Sequence, residues 1–316
     1  MSVSPSSSCV VSVVIPAYNA EKFIIRAVQS VLNQQIVGCE ILIVNDGSTD
    51  QTLAKLIQFS DNPQVRILSH PGGLNRSVCA SRRLALSQAK GEFVAFLDSD
   101  DEYLPAKLER HISILRKHPQ VVLVHGQIQR RIEDSEAIVR TTDPTILEHK
   151  EDTPWLFSLG DKPEIYDLTQ KSYFLRRNFI CNSSVVCRRA ALNPDEDLPL
   201  QMIGGGEDWV LWNCMSFRGL FYYDPEPLTL YLDHQASFTH NLLSRAGAAE
   251  LTAIEFYLSI LTRLPNLRMR ARALCGLIYH LMSLAQIRKS QLRKAGLASL
   301  FLRKIFEDLK GKTLRI

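Results

Sequence analysis

The sequence predicts an α/β fold with a mostly parallel central sheet, and three observations carry that reading. Strand-like and helix-like segments alternate four times between residues 10 and 117. The strand-like segments are short apolar runs without in–out alternation, the pattern of strands buried on both faces. Clusters of Asn, Asp, Gly and Ser follow several of these runs, at the strand ends where open α/β sheets collect ligands.

The elements follow in order. Val10 to Ile15 is rich in β-branched residues and stops at Pro16. Ala20 to Gln34 is helical, with Phe23, Ala27, Val31 and Ile24, Val28, Leu32 forming one broad apolar stripe. Ile41 to Val44 is a second buried strand, ending in Asn45-Asp46-Gly47. Ser48 or Thr49 is expected to cap a helix carrying Leu53, Leu56 and Ile57. Val65 to Leu68 is a third strand and Ser77 to Ala89 a third helix. Phe93 to Leu97 is a fourth strand, and Pro105 is expected to open a helix through Lys117. This order implies parallel strands with helices on both faces. Downstream, Val121 to Ile128, Ser183 to Cys187 and Leu228 to Tyr231 read as strands. Residues 131–180 lack clear periodicity and read as loops with short helices. Residues 246–264, 268–287 and 289–310 read as helices, broken by Leu264-Pro265-Asn266 and by a short basic turn.

Bulk properties narrow the class. The 316 residues, 46% apolar, suffice for one large domain or two smaller ones. Net charge is +4, but residues 241–316 carry fourteen Lys or Arg against four Asp or Glu, while the remainder carries 23 against 29. The tail is therefore +10 and the rest −6. Such a tail reads as a solvated helix face or as a contact with an anionic surface. The seven cysteines are odd in number, form no CxxC pair and sit mostly beside apolar residues. That pattern argues against a disulfide framework or zinc site and for a reducing, cytoplasmic compartment. The Ser-rich first eight residues lack the charged and apolar regions of a signal peptide, and Ala273 to Ala285 is too short to span a bilayer.

Chemistry concentrates at four places. Phe93-Val94-Ala95-Phe96-Leu97 runs directly into Asp98-Ser99-Asp100-Asp101. Carboxylates crowded at a strand end repel one another unless a cation sits between them. A hard divalent ion, Mg²⁺ or Mn²⁺, bridging to a phosphate suits oxygen ligands of this kind. An EF-hand loop is excluded because its sixth-position glycine and twelfth-position glutamate are missing. The other clusters are Pro16-Ala17-Tyr18-Asn19, Asn45-Asp46-Gly47-Ser48-Thr49-Asp50, and Gly204-Gly205-Gly206-Glu207-Asp208-Trp209.

These four clusters in this order resemble the family 2 glycosyltransferases, inverting enzymes with the GT-A nucleotide-diphospho-sugar-binding fold. Ala89-Lys90-Gly91-Glu92, Cys187-Arg188-Arg189 and Tyr231-Leu232-Asp233-His234 add to the resemblance, which covers roughly residues 10–240. It implies a GT-A catalytic domain over 10–240, with a nucleotide-binding half (10–118) and an acceptor half (119–240), followed by a basic helical region over 241–316. It implies that Asp46 and the Pro16-Ala17-Tyr18-Asn19 segment hold the nucleobase and that Arg82 reaches the nucleotide. It further implies that Asp98 and Ser99 face the donor. Asp100, with Asp98 and His234, is implied to hold Mn²⁺ or Mg²⁺. Asp208 would be the general base, with Glu207 and Trp209 at the loop or acceptor. Asp101 reads as a cap for the Pro105 helix. Asn45, Arg83 and Leu232 depart from the family's usual residues.

The implied reaction moves a sugar from a nucleotide-diphosphate donor, UDP-sugar favoured, to a saccharide or lipid-linked acceptor in polysaccharide or glycoconjugate synthesis. No nucleic-acid partner is implied, and the basic helices offer a peripheral membrane contact. A sugar-phosphate nucleotidyltransferase would need a Gly-rich basic loop where Pro16-Ala17-Tyr18-Asn19-Ala20 stands. A non-catalytic nucleotide-sugar-binding module of the same fold would have no need of Asp98, Asp100 and Asp208 together.

Overall fold

The computed structural model describes residues 9–133, 138–141, 162–170, 175, 178–202, 205–235, 237 and 248–291. In chain order the strands are β1 (Val11–Ala17), β2 (Cys39–Asn45), β3 (Val65–Ser69), β4 (Phe93–Phe96), β5 (Glu102–Tyr103), β6 (Val121–Gly126), β7 (Ile128–Ile132), β8 (Ile138–Thr141), β9 (Glu164–Tyr166), β10 (Val186–Arg188), β11 (Leu220–Asp224) and β12 (Thr229–Asp233). The helices are α1 (Ile24–Leu32), α2 (Thr52–Ile57), α3 (Val78–Gln88), α4 (Lys107–Lys117), α5 (Pro194–Asp197), α6 (Glu207–Met215), α7 (Ala248–Leu261) and α8 (Leu267–Gln291).

Eight strands form the main sheet in the order β3-β2-β1-β4-β10-β6-β11-β9, and four form a second sheet, β5-β12-β7-β8. The β3-β2-β1-β4 and β6-β11 pairings are parallel; β10 and β9 run the other way. Alternate residues of the buried strands serve two cores. Val13, Ile15, Ile41 and Ile43 face α1, α2 and α4, whereas Val14, Leu42, Val94 and Phe96 face α3 and α6. This double burial explains the uninterrupted apolar runs.

Several expected boundaries move for identifiable reasons. The Val121–Ile128 segment divides between the two sheets at Gln127, whose N–H donates to the Asp224 carbonyl. At Gly126 a Cβ would lie 2.8 Å from that same carbonyl, so only glycine permits the crossing. Ser48 and Thr49 do not cap α2: the Ser48 hydroxyl accepts from Asn19 N–H, and Asp50 Oδ1 accepts from Thr52 N–H instead. Helix α4 starts at Lys107, two residues after Pro105, with Ala106 left-handed at φ 65°. Within residues 131–180, β7, β8 and β9 supply strands that weak periodicity hid. The expected basic turn near Arg288 is helical, since α8 continues to Gln291. The Leu264-Pro265-Asn266 break holds, and Asn266 Oδ1 accepts from Met269 N–H to start α8. The 289–310 helix lies, beyond Gln291, outside the described residues.

Helix α7 joins the α3/α6 core: Trp209 of α6 stacks on Phe256 of α7, ring centroids 3.5 Å apart and nearly coplanar. Helix α8 packs on α7 through Ala273 and Leu277, and Gly276 lies directly against the Tyr257 ring, where any Cβ would collide. Among the described residues no disulfide joins the cysteines, five of which are buried. Among the described residues, no helix is long and apolar enough to cross a membrane.

Candidate active site

The sheet register sets which loops meet. Ala17 pairs with Asn45 and Val14 with Phe96 across parallel neighbours, so the segments after β1, β2 and β4 leave the same edge. The first two interlock. Asn19, at φ 49°, accepts through Oδ1 from Thr49 N–H at 2.8 Å, and its own N–H donates to Ser48 Oγ. Tyr18 is exposed above them, while Pro16 and Ala17 remain in the strand.

Asp46 is buried, and its Oδ1 accepts from Arg76 N–H at 2.7 Å, with His70 Nε2 at 3.5 Å. That contact requires loop 73–76 to approach Gly47 very closely: a Cβ there would sit 2.5 Å from Asn75 N, and its φ is +68°. Asp46 is thus held between Ala17, whose carbonyl accepts its N–H, and the 70–76 loop.

Arg82, only 4% exposed, is the junction of the site. Its Nη2 donates to Asp98 Oδ1 at 2.8 Å and its Nη1 pairs with Glu207 Oε1, joining residues 125 apart in sequence. Burial works against its charge, but the Glu207, Asp98 and Asp208 carboxylates outweigh burial and raise its pKa. Arg82, expected to reach the nucleotide, is engaged in this structure by protein carboxylates. Its guanidinium is buried and committed to two carboxylates. Arg83 instead anchors α5, through the Leu198 carbonyl and Asp195.

Asp98 Oδ1 also accepts from Asn182 Nδ2 at 2.9 Å, and Asp98 N–H donates to Ser183 Oγ. Ser99 is half-buried beside it. Asp100 Oδ2 lies 3.0 Å from His234 Nε2, and the His234 ring rests on Phe23. Asp101 does not cap α4. It is fully buried, and its Oδ1 accepts from Leu232 N–H, pinning the loop to β12. Burial, together with Asp100 and Asp98, holds its carboxyl well above the usual range.

Asp208 sits in the first turn of α6, after Gly205 and Gly206 at φ 72° and 85°. Its Oδ2 accepts from Asn178 Nδ2 at 2.9 Å and its Oδ1 from Trp209 N–H. Burial and the neighbouring Glu207 push its pKa up to about 7, the range in which a carboxylate works well as a proton acceptor at neutral pH. Trp209 does not face a ligand: the stack on Phe256 covers its ring in the core. Beneath the site, Lys107 Nζ donates to the Ser184 carbonyl, steadying the 182–184 turn that presents Asn182. Burial pushes its pKa down to about 7.

Asn178, Asn182, Ser183 and Lys107 were absent from the sequence reading. A weak signal existed for two of them, since Asn182-Ser183 stands just before a strand run, as Asn45-Asp46 stands just after one.

Among the described residues, no three His, Cys, Asp or Glu side chains gather as a metal set. The Asp100–His234 pair nevertheless fits a divalent cation: one carboxylate oxygen and one imidazole nitrogen converge within 3.0 Å from two separate elements. Such ions are commonly held by one or two side chains plus substrate phosphates. Asp98 fits that shell less directly, because its Oδ1 already takes two donors.

The glycosyl transferase family 2 model matches residues 12–191, more than half of the chain. The chain belongs to glycosyl transferase family 2. It is thus a transferase acting on glycosyl groups. Three of the four clusters lie within the matched span, and the Gly204-Gly205-Gly206-Glu207-Asp208-Trp209 cluster lies beyond it. This family 2 transferase is 26% identical over 257 residues to an uncharacterized glycosyltransferase of Haemophilus influenzae, covering 79% of this chain and 74% of that one. It is 39% identical over 108 residues to the Escherichia coli UDP-Glc:alpha-D-GlcNAc-diphosphoundecaprenol beta-1,3-glucosyltransferase WfgD (34% of this chain, 42% of that one). Its 45% identity to the Pasteurella multocida chondroitin synthase extends over 100 residues, 31% of this chain and only a tenth of the synthase. The crystal structure of S. aureus TarS 1-349 in complex with UDP-GlcNAc superposes with a TM-score of 0.61 at 18% identity, over 87% of this chain and 73% of that one. The transferase therefore has the GT-A type of α/β fold.

Proposed function

We propose that this transferase moves a sugar from a nucleotide-diphosphate donor to an acceptor hydroxyl with inversion at the anomeric carbon. The observation that carries the reading is the Arg82 bridge, which brings the strand-end Asp98 and the Glu207-Asp208 turn to one place. Asp208 takes the acceptor hydroxyl proton as the acceptor oxygen bonds to the anomeric carbon. The anomeric carbon–phosphate oxygen bond breaks, and its electron pair leaves with the nucleoside diphosphate. Asn178 and the Trp209 N–H hold the Asp208 carboxylate for that transfer. Asp46, with the Pro16-Ala17-Tyr18-Asn19 segment, holds the base, and Ser99 faces the donor.

Asp100 and His234 would hold Mn²⁺ or Mg²⁺, with Asp98 at its water shell, and the ion would neutralise the diphosphate as a Lewis acid. Glu207 keeps the loop in register through Arg82. A uridine donor is favoured by the UDP-GlcNAc complex of TarS and by the UDP-Glc in the name of WfgD. A saccharide or lipid-linked acceptor fits the GlcNAc-diphosphoundecaprenol in the name of WfgD. Residues 10–240 form the catalytic domain and 241–316 an extension whose first helix shares its core. The odd number of cysteines, five of them buried, supports a reducing, cytoplasmic setting.

Asp208→Asn tests the base: transfer should fall by about 10²–10⁴ while UDP affinity stays at the wild-type value. Wild-type turnover in that variant would sink the reading. Because Asp208 acts deprotonated and its pKa lies near 7, the wild-type rate should climb as pH rises through about 7. A profile flat from pH 5.5 to 8.5 would remove Asp208 from the role. Calorimetric titration of UDP with and without Mn²⁺ tests the ion, and equal affinities would count against Asp100 and His234.

A further inference from the structure

Helix α8 presents two apolar faces. One, formed by Ala273, Gly276, Leu277 and His280, packs towards α7. The opposite one carries Leu267, Ala271, Leu274, Ile278 and Leu281 at spacings of four, three, four and three, a continuous stripe along the helix. Leu267 is 82% exposed, Leu274 46%, Ile278 48% and Leu281 38%. The stripe is flanked by Arg268 and Arg272 on one side and by Arg270 on the other, all exposed. Helix α8 contains five Lys or Arg and no Asp or Glu.

We propose that this face of α8 docks on an anionic lipid bilayer, lying in the interface plane. Charge complementarity selects this occupant. An apolar stripe rimmed by arginines, on a helix without acids, matches the composition of interfacial helices. The +10 charge of residues 241–316 opposes pairing of this face with a second copy of itself. The five Lys or Arg of α8 oppose passage through the hydrocarbon core, so the stripe lies along the surface rather than through it. Connection to the site is direct: α8 packs on α7, and Phe256 of α7 stacks on Trp209, the neighbour of Asp208. The inference rests on α8 alone and does not depend on the proposed chemistry.

The test is co-sedimentation of the full chain with vesicles of phosphatidylcholine, with or without phosphatidylglycerol, at low and high salt. The expected result is pelleting on the anionic vesicles at low salt, weakened at high salt and on neutral vesicles. Leu274→Glu/Ile278→Glu should weaken that binding at least tenfold, and Arg268→Gln/Arg270→Gln/Arg272→Gln about fivefold or more. Asp208→Asn should pellet like wild type, which separates this inference from the catalytic one. Wild-type protein left in the supernatant, or the double Glu variant pelleting unchanged, overturns the proposal. So does a milder Leu274→Gln/Ile278→Gln variant that melts well below wild type or loses a concentration-dependent dimer. Either outcome would mean that residues 292–316 or a second copy already cover the stripe.

Discussion

The two halves of the candidate site are held together in different ways. The loops after β1 and β2 are joined by several short-range bonds between small polar groups: Asn19 to Thr49, Ser48 to Asn19, Thr52 to Ala20, Asp50 to Glu21. The junction between β4 and α6 depends on one buried guanidinium, supported from below by one buried lysine. The first arrangement spreads its stabilisation over many partly exposed bonds, each worth about 1 kcal/mol. The second concentrates it, because removing the guanidinium strands the buried Glu207 carboxylate without its counter-charge. A site that reads a base can rest on the former. A site that must bring two carboxylates together needs a counter-charge between them.

Substitutions can break this contrast. Arg82→Met should have the largest effect, about 3–5 kcal/mol in urea unfolding, with near-complete loss of transfer, because Asp98 and Glu207 are left without their cation. A loss below about 1 kcal/mol would show that the bridge does not hold the two sides together.

Lys107 comes next. Its folded pKa, about 7, lies below the ordinary lysine value of 10.5. Between these values the unfolded chain holds a proton that the folded chain lacks, so the Lys107 contribution to stability, read as wild type minus Lys107→Met, should rise with pH across this window. The gain, about 3–4 kcal/mol between pH 7 and 10, is lost progressively as pH falls from 10 to 7. Lys107→Met should remove the slope, and parallel stability curves for the two proteins would overturn the assignment. Asn19→Ala, on the other side, should cost only about 1 kcal/mol and raise the Kd for UDP a few-fold. A collapse as deep as that of Arg82→Met would erase the distinction.

The same division marks what could be read from residues alone. Through α4 the chain announces its elements, because strands buried on both faces need unbroken apolar runs and Asp46-Gly47 marks the end of β2, although β1 runs past Pro16 to Ala17. Asp46, Asp98, Asp100 and His234 were nameable because each lies at or just beyond a strand end. Helix α6 was hidden for a physical reason. Trp209 through Met215 are all buried, so no polar face reports its period. The antiparallel insertion of β10, the sheet change at Gln127 and strand β11 depend on pairings made far away in sequence. The role of Arg82 was unreadable for the same reason, as its second partner is 125 residues downstream. Ser48 failed as a helix cap because its hydroxyl serves a neighbouring loop.

Gly276 gives the C-terminal helix something that packing area alone would not. A long helix lying on another can roll about its own axis at little cost, since apolar contacts have no direction. The Tyr257 ring fits against α8 only where a side chain is missing, and its hydroxyl is itself fixed by the Leu175 carbonyl at 2.6 Å. One azimuth is thereby selected. The direction in which Leu274 and Ile278 point is keyed to the same tyrosine that lies edge-on to Trp209, so the outward face and the catalytic turn share a single angular reference.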